Sequence, residues 1–223
     1  MQTVLVTGAN RGIGLALVQQ LRARGDEVIG VCRRRSAALT ATGARVEADV
    51  DVTDDRALAE LAENLGTTRL DVLWLNAGIL ERDTLGAIDA GGFDSLRRQF
   101  EVNALGPLRV AQSLLRHLVR GSKVAIMTSR MGSIADNDSG GYYGYRASKA
   151  AVNAIGKSLA VDLEPRGIGV FMLHPGYVAT DMVGGGGDIS PAQAAERLVG
   201  VLDGLSTGQS GSFWHSNGSA LPW

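Results

Sequence analysis

Two side chains in the middle of the chain are spaced for proton chemistry. Tyr145 and Lys149 stand four residues apart, so on a helix they share one face, a turn from each other. A free phenol titrates near about 10, too high to exchange protons readily at neutral pH. A neighbouring ammonium favours the phenolate and brings the tyrosine toward the working range, which suits it to act as an acid or a base. Near the start, Thr7-Gly8-Ala9-Asn10-Arg11-Gly12-Ile13-Gly14 offers a second capacity. Glycines there let the backbone turn sharply and approach a pyrophosphate, which then sits on the free N–H groups of a helix N-terminus. Alone, each signal is weak: an amphipathic helix yields Y-x-x-x-K by accident, and any tight strand-to-helix turn needs glycine. Their conjunction in one chain points to nucleotide-dependent chemistry.

The elements that must position these residues follow from the apolar pattern. Continuous apolar runs at Thr3–Thr7, Glu27–Cys32, Arg45–Asp51, Leu70–Asn76, Lys123–Ser129, Ile168–His174 and Gly211–His215 read as strands buried on both faces. Between them, helical patterns cover Gly12–Arg24, Asp54–Leu65, Phe93–Leu118, Tyr143–Leu163 and Pro191–Leu205. Ser190-Pro191-Ala192-Gln193 opens the last with a cap, a proline at the first position and a capping-box glutamine. This alternation predicts an α/β fold, a doubly wound parallel sheet of about seven strands with helices on both faces and ligands at the carboxyl ends of the strands. Residues 1–223 read as a single Rossmann domain. Gly184–Gly187 reads as a mobile flap beside the site, at about 181–190.

Composition removes several classes. A hydrophobic content of 45% supports a sizeable core, and a net charge of −1 gives no reason to expect nucleic acid or a membrane surface as partner. No apolar run approaches a membrane span. The single cysteine, Cys32, excludes an internal disulfide and fits a reducing cytoplasm. With only His117, His174 and His215 besides, no metal site is expected, and any redox chemistry falls to an organic cofactor.

The turn T-G-x-x-x-G-I-G resembles the cofactor fingerprint of the short-chain dehydrogenase/reductase family, and later segments resemble that family's motifs in order across nearly the whole chain. Asp51-Val52 resembles its adenine-contacting pair, and Leu75-Asn76-Ala77-Gly78 its N-N-A-G. Asn103 resembles its helix asparagine, Thr128-Ser129-Arg130-Met131-Gly132 its S-S-x-x-G, and Pro175-Gly176-Tyr177-Val178-Ala179-Thr180 its P-G-x-V-x-T turn beside the nicotinamide. Asn10 through Leu15, and the ending Ala220-Leu221-Pro222-Trp223, are most similar to the C-factor and Sniffer-like carbonyl reductase subgroup. The resemblance implies a catalytic set of Ser129, Tyr145, Lys149 and Asn103. Tyr145 would exchange the proton, Ser129 would hold the substrate oxygen, Lys149 would also bind the nicotinamide ribose, and Asn103 would anchor a water. Two departures stand out. Leu75 replaces the first asparagine, and Ser129 lies 16 residues before Tyr145, a little more than usual, which Asp136–Gly141 explains as a small insertion. Ser133, 12 residues before the tyrosine, is the runner-up for the serine role.

The cofactor is read as NADP(H). An NAD enzyme places a carboxylate at the end of the second strand to grip the ribose 2′-hydroxyl. Here Cys32 occupies that place, Arg33-Arg34-Arg35 follow, and Arg11 sits in the glycine turn, so guanidinium groups stand ready for a 2′-phosphate. The expected cofactor set is Gly8, Asn10, Arg11, Gly12, Ile13, Gly14, Arg33, Asp51, Val52, Asn76, Ala77, Gly78, Tyr145, Lys149, Pro175, Gly176, Val178 and Thr180. The expected activity is interconversion of a small aldehyde or ketone with its alcohol; the alternative is a cofactor-binding signalling protein of the C-factor type. A homodimer is expected through Phe93–Leu118 and Tyr143–Leu163, on the family pattern and on surplus apolar residues: Val102, Leu105, Val110, Leu114, Leu115, Val152, Ile155 and Leu159.

Overall fold

The computed structural model describes residues 1–223 as one seven-stranded parallel sheet in the order β3-β2-β1-β4-β5-β6-β7. The strands are β1 (Thr3–Thr7), β2 (Glu27–Val31), β3 (Arg45–Glu47), β4 (Leu70–Leu75), β5 (Leu118–Met127), β6 (Gly169–His174) and β7 (Ser212–His215). The sequence order reverses between β1 and β4, and the crevice at that switch point faces the carboxyl ends of both. The five inner strands, β2, β1, β4, β5 and β6, are covered on both sides. Leu5, Leu73, Val124, Ile126 and Met172 join one apolar layer, while their neighbours Val4, Val6, Trp74, Ala125 and Leu173 join the other. Double coverage is why the apolar runs are continuous rather than alternating.

The helices are α1 (Gly12–Ala23), a short α2 (Ala37–Thr40), α3 (Asp55–Asn64), α4 (Ala90–Phe100), α5 (Gly106–Ser113), α6 (Tyr143–Leu163) and α7 (Pro191–Gly204). The capping box forms at Ser190 and Gln193 as the sequence indicates. The expected single helix over Phe93–Leu118 is corrected: α4 passes into a π-helical turn, Glu101–Leu105, then α5, a 3-10 turn, and Leu118 already opens β5. Pro107 accounts for the break. It has no N–H to give the carbonyl of Asn103 four residues back, and its ring crowds that carbonyl, so the helix widens there.

Of the apolar residues read for an interface, Val110, Leu114 and Val152 are fully buried in the core, while Val102, Leu115, Ile155 and Leu159 are half-buried and pack against it, and Leu105 is half-buried. The apolar side chains that α4 and α6 do leave exposed are Phe93, Phe100, Tyr143 and Val161.

The glycine run closes a compact turn. A 3-10 turn at Asp181–Val183 ends on Gly184, Gly185 N–H returns to the Thr180 carbonyl at 2.9 Å, and Ala179 N–H donates to Ile189 at 2.9 Å. A Cβ at Gly187 would lie 2.2 Å from the Ala179 nitrogen, whereas one at Gly184 or Gly185 would meet nothing within 4 Å. Gly187→Ala is therefore expected to cost about 1–3 kcal/mol by overpacking, read as a melting point lower by roughly 2–4 °C per kcal/mol. A melting point equal to the native one would show that the turn yields freely.

Candidate active site

The cofactor turn is built where β1, β4 and α1 meet. Gly8 takes a left-handed φ of +66° and passes against Ala77; a Cβ on Gly14 would fall 2.1 Å from the Gly8 carbonyl oxygen. Neither position has room for any side chain. The Thr7 hydroxyl accepts from the N–H groups of Asn76 (3.0 Å) and Ala77 (3.1 Å), and the Asn76 amide donates to the Thr7 carbonyl at 3.0 Å. Asn76 thus ties the turn after β4 to the glycine turn. Leu75, where the family pattern has another asparagine, is fully buried in the core, so packing replaces that polar contact. No side chain caps α1, which leaves its first N–H groups free for an anion.

One cleft of about 600 Å³ runs from this turn to Tyr145 and Lys149, a volume that suits an extended organic ligand. Gly8, Asn10, Arg11, Gly12, Ile13, Gly14, Arg33, Asp51, Val52, Asn76, Ala77, Gly78, Pro175 and Thr180 all line it, as the sequence reading placed them. Gly176 and Val178 do not. Val178 is buried and bridges to Ile189, and Gly176 backs against His215, so both shape the turn from behind. Ile79, Val102, Met127 and Met182 are also in the walls, and no motif singles them out.

At the far end the arginines are exposed and paired. Arg33 lies 3.6 Å from Asp51, and Arg11 lies 3.4 Å from Asp181. Burial works to raise the Asp51 carboxyl, but hydrogen bonds from the Thr53 N–H and hydroxyl, with Arg33 beside it, hold it below its ordinary value. Cys32 is buried beside them, and burial pushes its thiol up.

At the near end, α6 carries Tyr145 and Lys149 on its buried face. Lys149 Nζ donates to the Met127 carbonyl at 2.9 Å and stands 5.7 Å from the Tyr145 ring centroid. Gly132 packs on the backbone of Lys149, where a Cβ would come within 2.7 Å. The expected acidification of Tyr145 is corrected. Burial pushes its phenol up to about 12, opposed only by the neighbouring Ser129 hydroxyl, and burial pushes Lys149 down to about 8. In the free protein burial keeps Tyr145 a neutral proton donor.

Ser129 and Ser133 each accept one backbone N–H at 3.1 Å, from Met131 and Asp136 respectively, and neither lines the cleft; Ser129 is the one that stands beside Tyr145. Asn103 lies in the π turn, fully buried and outside the cleft. Its side chain clamps Ile79, accepting from its N–H and donating to its carbonyl, each at 2.8 Å, and donates to Ser148 at 3.1 Å. Asn103 therefore acts on the site through the backbone it holds. Asp83, which no motif marks, binds the start of α6 through the N–H groups of Tyr143 and Gly144.

This arrangement of turn, cleft and tyrosine–lysine pair agrees with comparisons to known proteins. Residues 2–187 match the short chain dehydrogenase family. The chain belongs to that family. Over all of both chains it is 44% identical to the 1-hydroxy-2-glutathionyl-2-methyl-3-butene dehydrogenase of Rhodococcus sp. strain AD45. It is 42% identical to the C-signal protein of Myxococcus xanthus, over 73% of this chain and 98% of that one. Among solved structures, the carbonyl reductase Sniffer of D. melanogaster superposes over all of both chains with a TM-score of 0.91 at 30% identity. The NADPH-bound carbonyl reductase from chicken fatty liver gives 0.89 at 29%, covering all of this chain and 99% of that one. Within the short-chain dehydrogenases, the Asp136–Gly141 segment of this chain is held by two arginines. Arg130 pairs with Asp136 at 2.7 Å, and Arg146 reaches the Gly140 carbonyl at 3.2 Å and the Ser139 hydroxyl at 2.8 Å.

Proposed function

We propose that this short-chain dehydrogenase is an NADP(H)-dependent oxidoreductase that interconverts a small aldehyde or ketone and its alcohol. The observation that carries the reading is a single cleft lined at one end by Arg33 and the glycine turn and at the other by Tyr145 and Lys149. The glycine cradle, closed to any Cβ, and the uncapped α1 fit a dinucleotide pyrophosphate, and Arg33 and Arg11 fit a 2′-phosphate. The NADPH-bound chicken reductase supports the same choice. When bound, the cofactor supplies hydride to a carbonyl carbon. Tyr145 gives its proton to the carbonyl oxygen as that oxygen gains charge, and takes one back in the reverse direction. Ser129 holds the oxygen against Tyr145. Lys149, fixed by Met127, stabilises the phenolate that forms and binds the nicotinamide ribose. Asn103 keeps Ile79 and Ser148 in place behind them.

The relative from Rhodococcus acts, by its name, on an alcohol bearing a glutathionyl group, so thioether alcohols belong in the substrate search alongside aldehydes, ketones and quinones. The test is a screen of NADPH oxidation with carbonyls and NADP⁺ reduction with alcohols. Turnover of at least one compound is expected; saturable NADPH binding with no turnover of any would favour a signalling role like that of the C-signal relative. Against that role stands the burial of Lys149 beside Tyr145, a costly arrangement that a pure binding protein does not need. The homodimer is retained within this proposal on the exposed Phe93, Phe100, Tyr143 and Val161 of α4 and α6. Light scattering at micromolar concentration should give twice the chain mass, and a monomer mass would overturn it.

A further inference from the structure

We propose that Asp83 is a positioning residue for Tyr145, acting through the first turn of α6. The inference rests on the reading of Tyr145 as the proton donor. The chain enters α6 under strain: Gly140 and Gly141 both have positive φ, and Tyr142, a non-glycine residue, sits in the left-handed region at φ +51° without capping the helix. A helix start without its own cap leaves backbone N–H groups in need of acceptors. Asp83 supplies three of them. Its backbone carbonyl accepts from Tyr142 N–H at 3.3 Å, and its carboxylate oxygens accept from Tyr143 N–H at 2.5 Å and Gly144 N–H at 3.1 Å. Tyr145 is the next residue.

Asp83 is also the end of a strap from the cofactor turn. Directly after Asn76-Ala77-Gly78, every second residue is anchored. Ile79 is clamped through both its N–H and carbonyl by Asn103; Glu81 donates its N–H to the buried Gln99 at 3.1 Å and holds Ser95 and Arg98 with its carboxylate; Asp83 takes the start of α6. α4 closes the other side, since a Cβ at Gly144 would meet Gln99 Nε2 at 2.6 Å. The first turn of α6 is thus located by the strap and α4 together, with Arg146 holding the incoming Gly140. Lys149 lies a turn further on and has its own anchor in Met127. Losing the Asp83 carboxylate should fray the first turn, shifting the Tyr145 hydroxyl relative to Lys149 and Ser129, while the glycine turn and Arg33 are untouched.

The test uses Asp83→Ala and Asp83→Asn in the full chain, with 4-nitrobenzaldehyde as the carbonyl. In Asp83→Ala, kcat should fall roughly 10- to 100-fold, the scale of a small misplacement of a reacting group, with KM and the NADPH dissociation constant unchanged. Asp83→Asn keeps one acceptor oxygen and should recover most of the loss. Amide hydrogen exchange at Tyr143 and Gly144 should be slow in the native protein and fast in Asp83→Ala, with β4 and β5 unaltered. Native kcat in Asp83→Ala would overturn the proposal, and so would a kcat loss matched by loss of NADPH affinity, or slow exchange persisting at Gly144. If the native protein reduces no carbonyl at all, the proposed function fails, and the exchange data still decide whether Asp83 holds the helix.

Discussion

Tyr145→Phe is expected to reduce carbonyl turnover roughly 10²- to 10⁴-fold, the contribution of a positioned general acid, while NADPH binding stays as in the native protein. The substitution removes one oxygen from a ring that is already buried. The Ser129 hydroxyl keeps the Met131 N–H at 3.1 Å, so the strand end should stay in place. Retention of near-native turnover by the Phe variant would remove Tyr145 from the acid role. The same assignment fixes a pH profile. Reduction needs a protonated Tyr145 and a charged Lys149. The phenol, pushed up to about 12, stays protonated throughout the neutral range, whereas Lys149, pushed down to about 8, loses its charge as pH rises through that value. At subsaturating cofactor and carbonyl, where kcat/KM reports the free enzyme, reduction should be level below about 8 and decline above it. A profile that rises across the same interval would contradict the assignment.

The parallel sheet was legible because residues buried on both faces must be apolar without interruption, as Leu5 and Val6 are in opposite layers. The cofactor turn was legible because the chemistry is carried by glycines at fixed offsets, and Gly14 against the Gly8 carbonyl tolerates nothing else. What stayed hidden depends on partners distant in sequence. The π turn at Asn103 follows from Pro107, a local signal that could have been used, but the role of Asn103 depends on Ile79 and Ser148 meeting it in space. Asp83 is an ordinary loop aspartate until α6 is placed beside it, 60 residues later. The burial of Tyr145 stays hidden for a related reason: spacing shows the ammonium on the same helix face, while the desolvation that raises the phenol comes from elements the spacing does not reveal.

Cofactor choice gives the other large expected effect. Arg33→Ala should weaken NADPH binding by roughly 10- to 100-fold, equivalent to about 1.5–3 kcal/mol for one charge-assisted bond, and leave NADH binding nearly unchanged. Only NADPH carries the 2′-phosphate, and Arg33 lines the cleft beside Cys32, where an NAD enzyme would hold a carboxylate. Arg33 has a competing partner in Asp51 at 3.6 Å. That pair is largely exposed, so it holds the guanidinium weakly and leaves it free to turn to a phosphate. Arg11 is placed similarly, 3.4 Å from Asp181, which also lines the cleft, and Arg11→Ala should add a separate loss for NADPH if both guanidiniums reach the same phosphate. The two losses would then be less than additive in the double variant, because neighbouring charges on one anion share its field. Titration of each variant with both cofactors decides the matter. Equal losses for NADPH and NADH would place Arg33 in general packing, and a native preference for NADH would end the argument before any substitution is made.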